Sequence, residues 1–177
     1  KIFFRDTLVT FIIAAIVFLG LRATIQSIAI VSASMAPTLP VGKRLIINRI
    51  IYKFSEPKRG DIIVFPSPKK PQDEYIKRII GLSGELVEIK GGTVYIHKQD
   101  VTTLALDEPY IIETAQRSFY GEKIPPNEYF ALGDNRNDSG DSRQGWTVPK
   151  QTIIGKAWLS IWPPAKWGLA ANYPLPE

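Results

Sequence analysis

The 177-residue chain carries 22 Lys and Arg against 17 Asp and Glu, a net charge of +5, and 45% of it is hydrophobic, enough for a packed core and too much for global disorder. With no cysteine and a single histidine, His97, the chain excludes disulfides, thiol nucleophiles, zinc ribbons and multi-histidine metal sites, and a Ser-His-Asp enzyme would need His97 as its base. The 14 Pro and 13 Gly favour a turn-rich, mostly β protein over a helical bundle, and the basic residues form no stripe of the kind nucleic acid requires.

The first segment stands apart in composition. Thr7–Leu21 is uncharged over 15 residues, preceded by Lys1, Arg5 and Asp6 and followed by Arg22. As a helix it would measure about 22 Å, short of the ~30 Å hydrocarbon core. A snorkelling Arg22 and extension into Ala23–Ile25 close most of that gap. The segment is read as a membrane anchor at 1–26. A cleaved signal peptide, ending at the small-x-small run Ser27-Ile28-Ala29, and a buried core helix are the other readings. Lys1 and Arg5 ahead of the span favour a cytoplasmic N-terminus. The later apolar run Ile153–Trp162 is too short to span and contains Gly155 and Lys156.

Short β-branched runs follow, delimited by Gly, Pro and Asn: Ile28–Val31, Arg44–Ile51, Asp61–Phe65 and Tyr75–Gly81. Glu85–Lys90 and Thr93–His97 flank Gly91-Gly92 and predict a hairpin with a two-residue primed turn. Tyr129–Leu132 and Thr152–Trp162 predict two more strands. Residues 98–128 are less regular and read as an insertion or a loose extra sheet. The β-rich domain is expected over 27–165, with a tail at 166–177 whose end, AANYPLPE, reads as frayed.

Three stretches can carry chemistry. In Ser32-Ala33-Ser34-Met35-Ala36-Pro37-Thr38-Leu39, a strand continued from Ile28 would place Ile28, Ile30, Ser32 and Ser34 on one face, with Ser34 exposed near its end. Hydroxyls satisfying a Pro-rich turn are the bland alternative. In Tyr75-Ile76-Lys77-Arg78-Ile79-Ile80-Gly81, alternation puts Lys77 with Tyr75 and Ile79, and Arg78 with Ile76 and Ile80. Desolvation would lower the Lys77 pKa, and a neutral lysine can take a proton from serine; an edge-strand lysine that discourages aggregation is the alternative. Gly133–Arg143 holds three Asp, two Arg, two Asn and two Ser. It fails the calcium-loop template, since Ser139 and Gly145 stand where that template needs Gly and Glu. An ordered ion-pair loop fits better, with Asp141 near Arg143 and Asp134 within reach of Arg78. His97 has no Asp or Ser cluster beside it and reads as exposed or structural.

Taken in order behind an apolar N-terminus, SMAPTL, GDIIVF (Gly60–Phe65), YIKRIIGLSGE (Tyr75–Glu85) and GDNRNDSGDSR (Gly133–Arg143) resemble the successive boxes of the type I signal peptidases, membrane-bound Ser/Lys proteases. WTVPKQTIIGKAWLSIWP is similar to the ending of bacterial, cyanobacterial and plastid members. The resemblance implies a catalytic domain of coiled antiparallel sheets behind one transmembrane helix, with no cofactor and no metal. It implies Ser34 as nucleophile and Lys77 as general base, with Ser32 and the Ser34 backbone N–H forming an oxyanion hole. Ser139 would orient Lys77. Asp134 with Arg78, and Asp141 with Arg143, would pair to hold the last box. Ile28, Ile30, Met35, Leu39, Tyr75 and Ile76 would line the substrate pockets. The implied partners are preprotein signal peptides, the lipid bilayer and the nearby export machinery, with the catalytic domain extracytoplasmic: in the periplasm, at the cell surface or in the thylakoid lumen. Two positions depart from the pattern: Val31, where many bacterial members have proline, and Asn137-Asp138, where others carry Asp-Asn or Asn-Asn. Two further readings compete, an anchored β-domain that binds extended peptides by strand addition without chemistry, and a self-cleaving Ser/Lys repressor, for which the chain lacks a helix-turn-helix.

Overall fold

A long apolar run without proline gives one α-helix, α1 (Ile2–Thr24), although β-branched residues and Gly20 make it a weak former by propensity alone; the computed structural model describes residues 2–176, and Lys1 and Glu177 lie outside the described residues. Phe4, Leu8, Phe11, Ile12, Ile16 and Leu19 are exposed along it. Among its described side chains none joins a core, which argues against the buried-helix reading. Among the described residues, no helix is long and apolar enough to cross a membrane. Arg5, Asp6 and Arg22 bound the uncharged run, so its length is about 22 Å even though the helix itself continues.

After α1 the regular structure is antiparallel strands joined by loops and short 3₁₀ turns. The strands are β1 (Ile25–Ala29), β2 (Arg44–Asn48), β3 (Ile62–Pro66), β4 (Glu74–Gly81), β5 (Leu86–Lys90) and β6 (Thr93–His97). They are followed by β7 (Thr103–Ala105), β8 (Phe119–Tyr120), β9 (Glu128–Leu132), β10 (Val148–Pro149), β11 (Gly155–Trp162) and β12 (Gly168–Leu169). The large sheet runs β1-β2-β11-β3-β4-β9-β10, with β12 on β11; the small one runs β7-β6-β5-β8. The predicted hairpin is β5–β6, and Gly91 and Gly92 both take positive φ (57° and 84°), as a primed two-residue turn demands.

Alternation along β3 and β4 sends side chains to two different cores. Ile62, Val64 and Ile76 join Ile30, Met35, Leu39, Leu45 and Ile47 on one side. Ile63, Phe65 and Ile79 join Tyr129, Ala131 and Val148 on the other. A third core fills the space against the small sheet, where Val87, Ile89, Val94 and Ile96 meet Ile80, Phe130 and Leu132.

Two expectations need correction, at β1 and at the tail, while residues 98–128 supply the extra sheet strands that were one of their two readings. The strand expected at Ile28–Val31 begins earlier, at Ile25, inside the segment assigned to the anchor, because Ile25–Ala29 pairs with Arg44–Asn48. Residues 98–128 contain two short strands on the small sheet and bond to the last box: Glu108 takes both Arg136 Nη atoms (2.8 and 2.5 Å) and Thr114 O accepts from Asn137 Nδ2. The tail is not frayed over its described residues. Gly168–Leu169 pairs with β11, Ala170 and Leu175 are buried, and Pro176 O accepts from Arg59 Nε at 2.7 Å.

Candidate active site

β1 does not continue as a strand to Ser34. Ile30 makes one more ladder pair, its N–H donating to Lys43 O and its carbonyl accepting from Gly42 N–H. The chain then swings out at Val31, which is 86% exposed, and winds into a 3₁₀ turn over Ala33–Met35. The expected shared face of Ile28, Ile30, Ser32 and Ser34 therefore holds only to Ile30. The two hydroxyls still meet, because the turn folds Ser34 back toward Ser32, Oγ to Oγ 3.2 Å.

β4 carries the second group. Lys77 stands opposite Ile63 of β3 and is 4% exposed. Its Nζ donates to Ser34 Oγ at 2.8 Å and to Ile76 O at 3.0 Å, and lies 5.2 Å from the Tyr75 ring centre. Burial lowers the Lys77 pKa to about 8, against the upward pull of Asp141 and Asp134. Desolvation prevails because neither carboxylate pairs with the amine: Asp134 is taken by Arg78 (2.9 and 2.7 Å) and Asp141 by Arg143 (2.8 and 2.8 Å). Both expected ion pairs are present, and Asp141 also accepts from Gly133 N–H.

The last box grips the serine turn from behind. Asn135 N–H donates to Ser34 O (3.0 Å) and Asn135 Nδ2 to Ala33 O (3.2 Å). Gly133 allows this approach; a Cβ there would stand 2.5 Å from Ser34 O and 2.2 Å from Ser139 Oγ. The sequence reading missed Gly133 and Asn135, and the only signal for them was their place in the last box.

Ser139 corrects an expectation. It makes no hydrogen bond to Lys77; its Oγ is buried without a partner among the described residues, while the lysine spends its bonds on Ser34 and Ile76. Met35 and Leu39 are also reassigned. Both are fully buried in the core under the cleft and do not line it, because the 3₁₀ turn points Met35 inward. The cleft itself is a cavity of about 290 Å³ bounded by Ile28, Ile30, Tyr75, Ile76, Ser34 and Lys77. Val31, Asp138 and Gly140 also border it, and Gln26 of β1 reaches Glu74 of β4 at one edge (3.2 Å).

His97 belongs to the small sheet. Its ring nitrogens meet Glu88 Oε2 (2.8 Å) and Thr103 Oγ1 (3.0 Å), and it does not border the cleft. Among the described residues no cluster of His, Cys, Asp and Glu could hold a metal ion.

Residues 4–162 match the family model described as signal peptidase, peptidase S26. The chain is 41% identical over 164 residues to a signal peptidase I of Leptolyngbya laminosa, covering 88% of this chain and 78% of that one. It is 38% identical over 169 residues to a probable signal peptidase I-2 of Synechocystis, covering 92% and 75%. The crystal structure of a signal peptidase I from Enterococcus faecalis superposes with a TM-score of 0.51 at 34% identity, over 58% of this chain and 97% of that one. A buried lysine against a serine hydroxyl, in a β-sheet cleft, thus sits in a chain that belongs to the signal peptidase family of serine peptidases.

Proposed function

We propose that the chain removes signal peptides from exported preproteins with Ser34 as nucleophile and Lys77 as general base. The observation that carries this is the 2.8 Å Lys77 Nζ–Ser34 Oγ contact in a desolvated site. A lysine with pKa about 8 is neutral in about a tenth of molecules near pH 7, against roughly one in 3,000 at the ordinary value. Neutral Lys77 takes the Ser34 proton as Oγ bonds to the scissile carbonyl carbon. The carbonyl oxygen becomes an oxyanion beside Ser32 Oγ–H and the Ser34 N–H; one such donor typically contributes ~10²–10³ in rate. The C–N bond then breaks, the leaving amine takes the proton from Lys77, and the signal peptide remains as an ester on Ser34. Water, giving its proton to Lys77, hydrolyses that ester and Ser34 Oγ regains a proton.

The cleft supports the specificity. An extended substrate lying along it points every second residue inward, toward Ile28, Ile30, Tyr75 and Ile76. Branched side chains near the backbone leave room for Ala, Ser or Gly at the residue before the scissile bond and the one two earlier. Asp134–Arg78 and Asp141–Arg143 hold the wall behind. Ser139 has no present bond to Lys77, and its buried free hydroxyl supports a part in the reaction only if the amine turns toward it.

The exposed apolar side chains of α1 support a membrane seat, with Arg22 snorkelling at one end. The catalytic domain then lies on the extracytoplasmic face, where exported chains and the export machinery are. Cleavage of a labelled preprotein in vesicles tests the reading: Ser34→Ala and Lys77→Ala should each abolish product, and substantial cleavage by Lys77→Ala would remove lysine as base.

A further inference from the structure

β3 and β11 pair at Gly155↔Val64 and Lys156↔Ile63. Antiparallel register would next pair Ala157 with Ile62. That rung is missing, because β11 bulges between Ala157 and Leu159 to stay in register with β2. The bulge leaves the Ile62 N–H and the Ala157 carbonyl facing each other without a strand partner, in the interior of the sheet. Asn172 fills the gap. Its Oδ1 accepts from Ile62 N–H at 2.8 Å, and its Nδ2 donates to Ala157 O at 2.8 Å. One carboxamide replaces a backbone rung, satisfying groups that would otherwise be buried and unpaired.

The position of this rung matters. Ile62 is the cross-strand partner of Arg78, and Ile63, one residue on, is the partner of Lys77. The residues around Asn172 reach the same strand directly. Ala171 O accepts from Arg78 Nη1 at 3.0 Å, and the Tyr173 ring lies 5.5 Å from the Arg78 guanidinium while stacking at 5.1 Å on Tyr110, which covers Arg78 at 4.0 Å. The 170–173 segment therefore clamps both strands at the rungs beside the lysine.

We propose that Asn172 is a positioning residue for Lys77: it closes the missing β3–β11 rung and so keeps β4 packed tightly enough to hold the Lys77 amine dry and against Ser34. The inference rests on the reading of Lys77 as the base. The groups facing the Lys77 amine are Ser34 from the 3₁₀ turn, Tyr75 on its own strand, and Asp134 and Asp141 from the last box; Asn172 is uncharged and touches none of them. Its loss would act through water entering beside the strand, and hydration of the amine favours its charged form.

The test uses the full chain in vesicles. The NMR shift of the Lys77 Cε and the rate of cleavage are followed against pH for the wild type, Asn172→Ala and Leu175→Ala. The last variant removes tail packing in a different core. Asn172→Ala should raise the midpoint of the Lys77 titration and of the rising activity limb together by about one pH unit, a loss of about tenfold in kcat below the limb with KM little changed. Leu175→Ala should lower stability and leave both midpoints in place. Should Asn172→Ala not fold, Asn172→Ser, whose hydroxyl meets one of the two groups, carries the same expectation at smaller size. Midpoints unchanged in a folded Asn172 variant, or moved equally by Leu175→Ala, would overturn the proposal. If the NMR midpoint moves while the activity limb does not, Asn172 still positions Lys77 and the reading of Lys77 as the base is what fails.

Discussion

Lys77 and Arg78 are adjacent on one strand, both buried, and held by opposite means. Arg78 meets its counter-charge in a two-pronged pair with Asp134, whereas Lys77 is given a hydroxyl and a carbonyl and no carboxylate contact. Strand alternation separates the two side chains, so one cation stays charged to tie the last box to the sheet while its neighbour is pushed toward neutrality.

The pH dependence follows from that push. With Lys77 as the proposed base, activity should rise through a pH near 8, because a base acts deprotonated. Stability moves the same way. Between about 8 and 10.5 the unfolded chain binds a proton at Lys77 that the folded chain does not, so stability increases with pH there. Lys77→Met should abolish that increase and stabilise the protein below pH 8, read by denaturant midpoints at pH 6 and 10. A rising activity limb that vanishes in His97→Ala instead would contradict the assignment.

Ser34→Ala and Lys77→Ala should each cost nearly all activity, and the double variant no more than either, since groups that act as a unit are not additive. Single-turnover cleavage of a preprotein measures this; additive losses would mean two separate roles.

Gly133→Ala should damage catalysis more than folding. Its Cβ would press on the Ser34 carbonyl, displacing the serine turn, with an overpacking cost of about 1–3 kcal/mol. The expected result is a fall in kcat of at least about tenfold in a protein that still unfolds cooperatively.

Asp134→Asn should leave Arg78 buried beside a neutral amide. Breaking a buried pair on one side costs about 3–5 kcal/mol, measurable as a lowered urea midpoint. Removing both partners should cost less than removing Asp134 alone.

Ile30→Ala should open the cleft wall and admit Val or Leu directly before the scissile bond, where the wild type should cut Ala-containing substrates roughly 5- to 150-fold faster. Met35→Ala and Leu39→Ala, beneath the cleft, should instead lower stability by about 2–5 kcal/mol and leave side-chain preference largely intact. A substrate series at that position separates the two effects.

Period-two reading of Tyr75–Gly81 placed Lys77 and Arg78 on opposite faces, as β4 has them, because both faces of that strand are buried and register is tightly specified. The same reading failed at Ser32–Ser34, where a 3₁₀ turn replaces the strand and carries Met35 into the core. Nothing in the local pattern distinguishes a strand end from such a turn; the turn is fixed by Asn135, a hundred residues away. The ion pairs of the last box were legible because opposite charges stood close in sequence or in matching boxes. The Ser139 hydroxyl, the Glu108–Arg136 pair and the Asn172 rung depend on long-range packing that composition does not encode. Asn172 was least visible of all, since a tail rich in Pro and small residues resembles a loose end until a sheet with a missing rung is there to receive it.

The strand order has a consequence in time. β11 lies between β2 and β3, so the part of the sheet under the serine turn and the part carrying the lysine are joined by a strand at residues 155–162. A chain emerging from the ribosome has both Ser34 and Lys77 long before it has that strand. Such non-local pairing is slow to form, so the pair is expected to stay unassembled while the first half is all that exists. A chain built this way should be inert during its own synthesis and gain activity only once the far strand is in place.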